Sequence, residues 1–403
     1  MDFDNEGRAM THIHSCDMTS QSLVRFGILG CANIARKNIR AIKLSHSAEI
    51  VAIASRDHGK CVLYATENDI YPAVTCYGSY DELVDDERVD AVYIPLPTTL
   101  HLEYAVKCAR SGKHILLEKP LTVNMNELAA ILSACKEKGV YFMDGTMFEH
   151  HPRLARLRSL LSDPFSGEVK RINSTFCFNG SKSDFISSDI RVQASGDPLG
   201  ALGDLGWYCV RIALISLLKG RRVIGGELLP IFPLKVSCTS SKFSDGGVPL
   251  NCNACVVFSY GDKDIELTFS NSFIMPFRQS YELYLSSESF ADKVITCDDF
   301  VIPRIPSSAT FTVEASSGFP FADNACRVVS GVETVKVDTP SSDMQEVRMV
   351  QEFAEMIINR DDKLQEYFKD ISVLNQYIVD LCYQSIKSGG QSIYVECSPL
   401  AIY

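Results

Sequence analysis

From residue 23 onward, short unbroken apolar runs alternate with amphipathic helical stretches, and this alternation limits the fold more than any other feature of the chain. The runs at 23–29, 50–54, 74–76, 91–94, 114–117 and 140–143 read as strands buried on both faces. Helical periodicity fills 34–44, 57–68 and 126–138 between them. A parallel sheet covered on both sides by helices buries such strands. After Pro152 the texture changes. One helix over 153–161 is followed by strands at 170–178, 234–239, 254–260, 264–270, 281–285 and 293–296, interrupted by a helix over 203–218. A C-terminal helix is predicted over 344–358, and residues 301–343 read as irregular, a segment suited to contact a partner. The expected architecture is a disordered extension over 1–22 and an α/β Rossmann domain over 23–150. An α+β substrate and oligomerisation domain with a largely antiparallel, open-faced sheet then fills 151–403.

The net charge of −11 excludes the basic footprint of a nucleic-acid binder, and no run approaches the roughly 20 apolar residues that cross a bilayer. Of the fifteen cysteines, Cys252 and Cys255 form one C-x-x-C pair, but at a strand start their side chains point to opposite faces. No metal site is expected there, nor at His12 and His14 in the N-terminal segment. That segment carries acids and no apolar stretch, unlike a secretory signal or a transit peptide. Free thiols imply a reducing compartment, and the expected location is cytoplasmic.

The first strand ends in Gly30-Cys31-Ala32-Asn33-Ile34-Ala35, a G-x-G-x-x-G slot with alanine at its second and third glycine positions. Gly30 suits the tight turn, Ala32 lets the backbone approach a pyrophosphate, and Ala35 permits close helix packing. The helix beginning there aims free N–H groups at phosphates, so Gly30, Ala32, Asn33 and Ile34 are candidate cofactor contacts. After the second strand, Ser55-Arg56 suits a ribose 2′-phosphate, which a guanidinium grips with two bonds. That favours NADP over NAD, although Asp57 follows directly and an exposed surface arginine is the bland reading. Glu118-Lys119-Pro120 closes another strand at the sheet edge where open α/β folds bind ligands. A lysine there holds a substrate hydroxyl or pairs with Glu118, and spacing alone weighs the two equally; Pro120 allows a cis bond.

These stretches, with Pro95-Leu96-Pro97-Thr98-Thr99-Leu100-His101 and the segment from Gly200 to Tyr208 (GALGDLGWY), resemble the Gfo/Idh/MocA oxidoreductases. The resemblance runs over about residues 24–358 and is nearest the dimeric dihydrodiol dehydrogenase and D-xylose 1-dehydrogenase branch, in its plant-like members. It implies that Lys119 is catalytic, that Tyr208 is the acid/base and that Asp204 orients substrate. Asp204 and Tyr208 then share one helix face at i, i+4, and a nearby ammonium lowers the phenol pKa. Pro97, Thr98 and His101 are implied cofactor contacts, with Glu118 beside the lysine. His151 and Arg191 are weaker substrate candidates. The implied activity is hydride transfer between NADP and a sugar or diol, in a homodimer covered through a second sheet that is apolar on both faces. The alternative is a dinucleotide-binding regulatory protein without chemistry; intact Lys119, Asp204 and Tyr208 argue against it. One departure is Leu199-Gly200-Ala201, where the family usually carries a glycine cluster.

Overall fold

The computed structural model describes residues 23–218, 231–260, 263–317, 328–340, 344–396 and 399. His12 and His14 lie outside the described residues. Strands β1 (Val24–Leu29), β2 (Ala48–Ala54), β3 (Thr75–Tyr77), β4 (Ala91–Ile94), β5 (His114–Leu117) and β6 (Phe142–Asp144) form one parallel sheet. Their order is β3-β2-β1-β4-β5-β6, the doubly wound order that reverses between β1 and β4 and opens a crevice there. Phe26, Ile28, Val92, Tyr93, Ile115 and Leu116 are wholly buried, which explains their unbroken apolar character.

Helices α1 (Ala35–Leu44), α2 (His58–Glu67), α3 (Tyr80–Val84), α4 (His101–Arg110) and α5 (Met125–Lys138) connect the strands. Local signals start them. Asp57 caps α2 by accepting from Lys60 N–H, Ser79 and Glu82 form a capping box on α3, and Asn124 caps α5. Helix α1 has Ile34 at its N-cap and no side-chain cap; the N–H groups of Ala35, Arg36 and Lys37 bond back to Ala32 O, Asn33 O and Ile34 O, so the turn itself closes the helix start.

Helix α6 (Pro152–Ser162) leads into the second sheet. Its strands are β7 (Glu168–Asn179), β8 (Phe232–Thr239), β9 (Asn251–Tyr260), β10 (Lys263–Ser272) and β11 (Ile274–Ser286). They continue with β12 (Asp292–Cys297), β13 (Ser308–Ser317), β14 (Val328–Asp338) and β15 (Ile393–Tyr394). The order is β14-β13-β12-β11-β7-β10-β9-β8-β15, antiparallel except for β7 beside β10. Short α7 (Phe185–Ser188) and buried α8 (Trp207–Leu217) lie between β7 and β8; α9 (Gln345–Asn359) and α10 (Asp362–Lys387) close the chain. Cys252 is buried and Cys255 half-buried on opposite faces of β9.

Three expectations need correction. The irregular stretch contains β13 and β14, where Ala309, Phe311 and Val313 point inward between Thr310, Thr312 and Glu314. Its flanking prolines masked that period of two. Helix α10 was not expected at all, although Phe368, Ile371, Leu374, Ile378 and Cys382 trace a buried helical stripe. The sheet is not apolar on both faces. Ile172, Phe176, Leu267, Phe269 and Leu283 are buried on the helix side. The outer face carries polar pairs: Arg171 with Glu266 at 3.1 Å, Asn173 with Glu282 at 3.1 Å and Ser270 with Asn253 at 2.8 Å.

The C-terminal helices bind the halves together. Helix α9 packs on α1, and α10 packs on α5, β6, α8 and β8. At their meeting point lies Arg211, 0% exposed, with one nitrogen 2.7 Å from Glu149 and another 2.5 Å from Asp144. Glu149 also takes Arg158 at 2.8 Å and the Tyr367 hydroxyl, and Asp144 takes the Ser372 hydroxyl. Burial alone raises the Glu149 pKa, but Arg211 and Arg158 outweigh it and hold the group down at about 2.

Removing one partner from such a buried cluster leaves uncompensated charge, so Arg211→Met is expected to cost about 3–5 kcal/mol of unfolding free energy by denaturant titration. Loss below 1 kcal/mol by that measurement contradicts the reading. Glu149 ionises at lower pH in the fold than in the unfolded chain, where the ordinary value is about 4.3. Between those values the folded state binds fewer protons, so stability is full above about pH 5 and declines as pH falls toward 2. Glu149→Gln is expected to flatten that acid limb in thermal melts run from pH 6 to pH 3.

Candidate active site

Gly30 turns the chain out of β1 with φ +108°, a left-handed conformation that side chains resist, and a Cβ there would stand 3.1 Å from Leu96 Cδ2. The turn delivers Ala32, Asn33 and Ile34 to the uncapped end of α1, at the crevice beside β4. A turn of this kind at a helix start is suited to hold phosphate. Ser55 is buried at the end of β2 and accepts from Asp57 N–H, while its hydroxyl neighbours the Cys31 thiol. Arg56 is exposed and reaches the Tyr80 hydroxyl, which lies 3.8 Å from the Cβ position of Gly30. Asp57 is occupied: its carboxylate is 3.0 Å from Lys60 N as the α2 cap. The residue that raised doubt about a 2′-phosphate therefore has a local task, and Arg56, Arg36 and Lys60 are cations near the turn.

Beyond β4, Pro97 starts a one-turn helix (Thr98–Leu100), with Thr98 buried. Thr99, not singled out from sequence, fastens this loop to the second domain through Ser195 O at 2.8 Å and Gly196 O at 3.2 Å. His101 is 1% exposed, with its ring nitrogens 2.8 Å from Leu96 O and 2.9 Å from Leu121 O. Burial lowers the ring's pKa, so the neutral imidazole donates its single N–H to one of these carbonyls, and His101 sits between the loops after β4 and β5.

At the end of β5, Glu118 is buried and accepts from the Tyr93 hydroxyl at 2.5 Å, which in turn takes Asn38 Nδ2 at 2.6 Å. Burial raises its pKa. Gly145 lies opposite, where a Cβ would crowd the Glu118 carboxyl at 3.2 Å. Lys119 follows, with the bond to Pro120 cis. Its ammonium does not pair with Glu118. It crosses to the second domain, where it binds the Asp204 carboxylate and, at 3.1 Å, Asp204 O. It also lies 5.0 Å from the centre of the Tyr208 ring.

Asp204 sits in a π-helical turn (Leu202–Gly206) that runs into α8, instead of on a regular α-helix. Such widened turns re-aim side chains, and this one brings Asp204 and Tyr208 to the same ammonium. Its glycines are set by contact. A Cβ on Gly203 would meet Leu199 at 2.7 Å, and one on Gly206 would meet Asn271 at 2.8 Å. Gly200, at φ +54°, faces Pro249 O, whereas Ala201 tolerates its side chain in the core.

Arg191 joins the cluster, 3.3 Å from Asp204 and 2.9 Å from Asp189, with its guanidinium 4.6 Å from the Phe185 ring centre. Tyr208 packs between Phe148 and Phe176, and its hydroxyl lies 3.5 Å from Met147 Sδ. Burial raises the phenol pKa, and Glu118, Asp204 and Glu346 add to that against the opposing charge of Lys119. Lys119 lowers the phenol pKa as expected, but burial outweighs that lowering and the net shift is upward. Burial opposes the charge on Lys119 and Asp204 too, yet their mutual attraction keeps both ionised.

Asp197 is a further member that sequence reasoning missed. It is 4% exposed, and burial together with Asp204 pushes its pKa up to about 7. The signal was present as an acid just ahead of the glycine turn, but nothing in the spacing put it beside Asp204. His151 is a correction in the other direction. Its ring caps α6, accepting from Arg153 N at 2.9 Å, and lines a different cavity that none of Lys119, Asp204, Tyr208 or Arg191 lines.

A model of an oxidoreductase family with an NAD-binding Rossmann fold, GFO_IDH_MocA, matches residues 24–146. A dTDP-3,4-didehydro-2,6-dideoxy-alpha-D-glucose 3-reductase from Saccharopolyspora spinosa is 30% identical over 262 residues, 65% of this chain and 72% of that protein. D-xylose 1-dehydrogenase (NADP(+)) 2 of Haloferax volcanii is 37% identical over 195 residues, 48% of this chain and 57% of that enzyme. The chain spans between 57% and 66% of the length of the first three curated relatives it matches. A 3-ketoreductase from Actinomadura kijaniata, solved with NADP and TDP-benzene, shares the fold with a TM-score of 0.70 at 23% identity, covering 93% of this chain and 100% of that one. With the phosphate turn in one half and the lysine-facing aspartate and tyrosine in the other, these matches show that the chain belongs to the Gfo/Idh/MocA oxidoreductase family.

Proposed function

We propose that this protein is an NADP-dependent oxidoreductase that interconverts a hydroxyl and a carbonyl on a sugar or diol. Its first domain takes the cofactor and its second the substrate. The observation that carries this reading is the convergence of Lys119, Asp204 and Tyr208 across the crevice at the end of β5. A regulatory protein has no use for a buried ammonium shared between a carboxylate and a phenol. When bound, the nicotinamide supplies the hydride donor or acceptor; Gly30, Ala32, Asn33 and Ile34 would hold its pyrophosphate, and Ser55 and Arg56 its 2′-phosphate. The positive φ of Gly30 and the uncapped start of α1 fit that group.

Tyr208 enters the reaction protonated and donates to the carbonyl oxygen during reduction; in oxidation the same phenolate takes the hydroxyl proton. Lys119 stabilises the oxygen as charge develops on it. Asp204 accepts from a neighbouring substrate hydroxyl, and as it turns to do so it releases positive charge toward Tyr208. Arg191 holds Asp204 ionised and in place. Phe148 and Phe176 beside the phenol keep water out.

The NADP preference rests on the Arg56 placement and on the naming of relatives as NADP(+) enzymes. The exposed apolar side chains Met275 and Phe277 on β11 support a homodimer contact that would cover them. The described cysteines are free thiols, consistent with a cytoplasmic setting. No helix among the described residues is long and apolar enough to cross a membrane.

With a panel of sugars and diols as substrates, Tyr208→Phe is expected to lower kcat by about 10²–10⁴ with little change in NADP affinity. Turnover equal to wild type would refute the assignment. Arg56→Ala is expected to weaken NADP about tenfold or more, from loss of a charge-assisted pair, and NAD by less than about threefold; fluorescence titration of the reduced cofactors distinguishes them. Because Asp197 ionises at about pH 7 in the fold, the kcat/KM profile of wild type is expected to show that ionisation and Asp197→Asn to lack it.

A further inference from the structure

Helix α1 presents a second face. While Ala35, Asn38, Ile39 and Ile42 are buried in the first domain, Lys37, Arg40, Ala41 and Leu44 line a cavity of about 260 Å³ at the seam with the second domain. Leu44, Ile302, Pro303, Pro306 and Val347 make its apolar walls. Thr339 and Gln345 also line it and are 3% and 8% exposed, yet Thr339 Oγ1 and Gln345 Oε1 have no hydrogen-bond partner. Polar atoms buried this deeply are ordinarily satisfied. His151 contributes a donor: its Nδ1 accepts from Arg153, and burial with the neighbouring Arg153 charge keeps the ring neutral, so its proton resides on Nε2. Lys37 and Arg40 have no ion-pair partner among the described residues, and Glu346 is the one acid among the residues named for the cavity.

We propose that this cavity binds a phosphate monoester carried on a compact apolar or ring body. Lys37 and Arg40, three residues apart on one helix face, meet the phosphate, the first as a point charge and the second as a fork. The proline-lined wall takes the body, and Thr339 and Gln345 gain the partners they lack. The phosphate belongs either to a separate small molecule or to the remote end of a substrate. Binding itself does not depend on the enzymatic reading.

The test is calorimetric titration of phenyl phosphate into the full chain saturated with NADP, so that the dinucleotide cradle is filled, with inorganic phosphate in parallel. Saturable one-to-one binding is expected, at least fivefold tighter for phenyl phosphate. It should fall at least tenfold in Lys37→Ala/Arg40→Gln and a few-fold in Thr339→Val, with unchanged melting temperature and NADP affinity. No saturable binding, or equal binding by the double variant, overturns the proposal. So does a loss of NADP affinity in that variant, which would assign both cations to the cofactor. Competition between phenyl phosphate and a phosphorylated substrate supports the remote-end source; altered turnover of an unphosphorylated sugar without competition supports a separate anion.

Discussion

A single guanidinium decides how the two halves of this molecule face each other. Arg211 is buried where β6, the turn before α6, α8 and α10 meet, and it is held by Asp144, Glu149 and Asn375. Burying that many charges is costly unless each is paired, and here Arg158, Tyr367 and Ser372 complete the pairing. The geometry has a direct consequence for chemistry. Arg211 lies three residues after Tyr208 on α8, so fixing the guanidinium fixes the rotation of the helix that presents the phenol. Trp207 adds a second restraint, donating from Nε1 to Thr146 at 2.8 Å. A tyrosine on one domain is thereby set against a lysine on the other.

The cluster around Lys119 is a balance in which no charge is free. The ammonium is shared between Asp204 and Tyr208, and Arg191 competes for Asp204 from the opposite side. Asp197 adds a carboxyl close enough to feel Asp204 and buried enough to protonate near neutral pH. In this arrangement burial keeps the phenol protonated, and the charge on Lys119 is balanced by Asp204.

Several parts of this site were legible in particular residues. Gly30 and the strand before it implied the phosphate turn, because φ of +108° has few other tenants. Glu118-Lys119-Pro120 at a strand end implied a lysine at the ligand edge, and Arg56 was separable from Asp57 in principle, since an acid three residues before Lys60 N–H is a helix cap. Other residues misled. His101 and His151 lie in suggestive motifs, yet His101 lies between two backbone carbonyls and His151 uses Nδ1 to cap α6. Helix α10 had a readable stripe and was missed. The polar outer face of the second sheet was hidden because alternation reveals period, not which side a neighbour covers.

Sequence by itself determined the alternation of strands and helices, hence the parallel sheet, the position of its phosphate turn and the residue types available to react. Those features depend on local periodicity and on backbone conformations that few residues adopt. Only the tertiary structure decided which groups meet: that Lys119 pairs with Asp204 and not with adjacent Glu118, that a π-helical turn sets Asp204 beside Tyr208, and that Asp197 joins them. Ionisation was decided there as well, because a pKa depends on burial and on charges contributed from across the chain. Lys119 and Asp204 are 85 residues apart, a separation that no local pattern bridges.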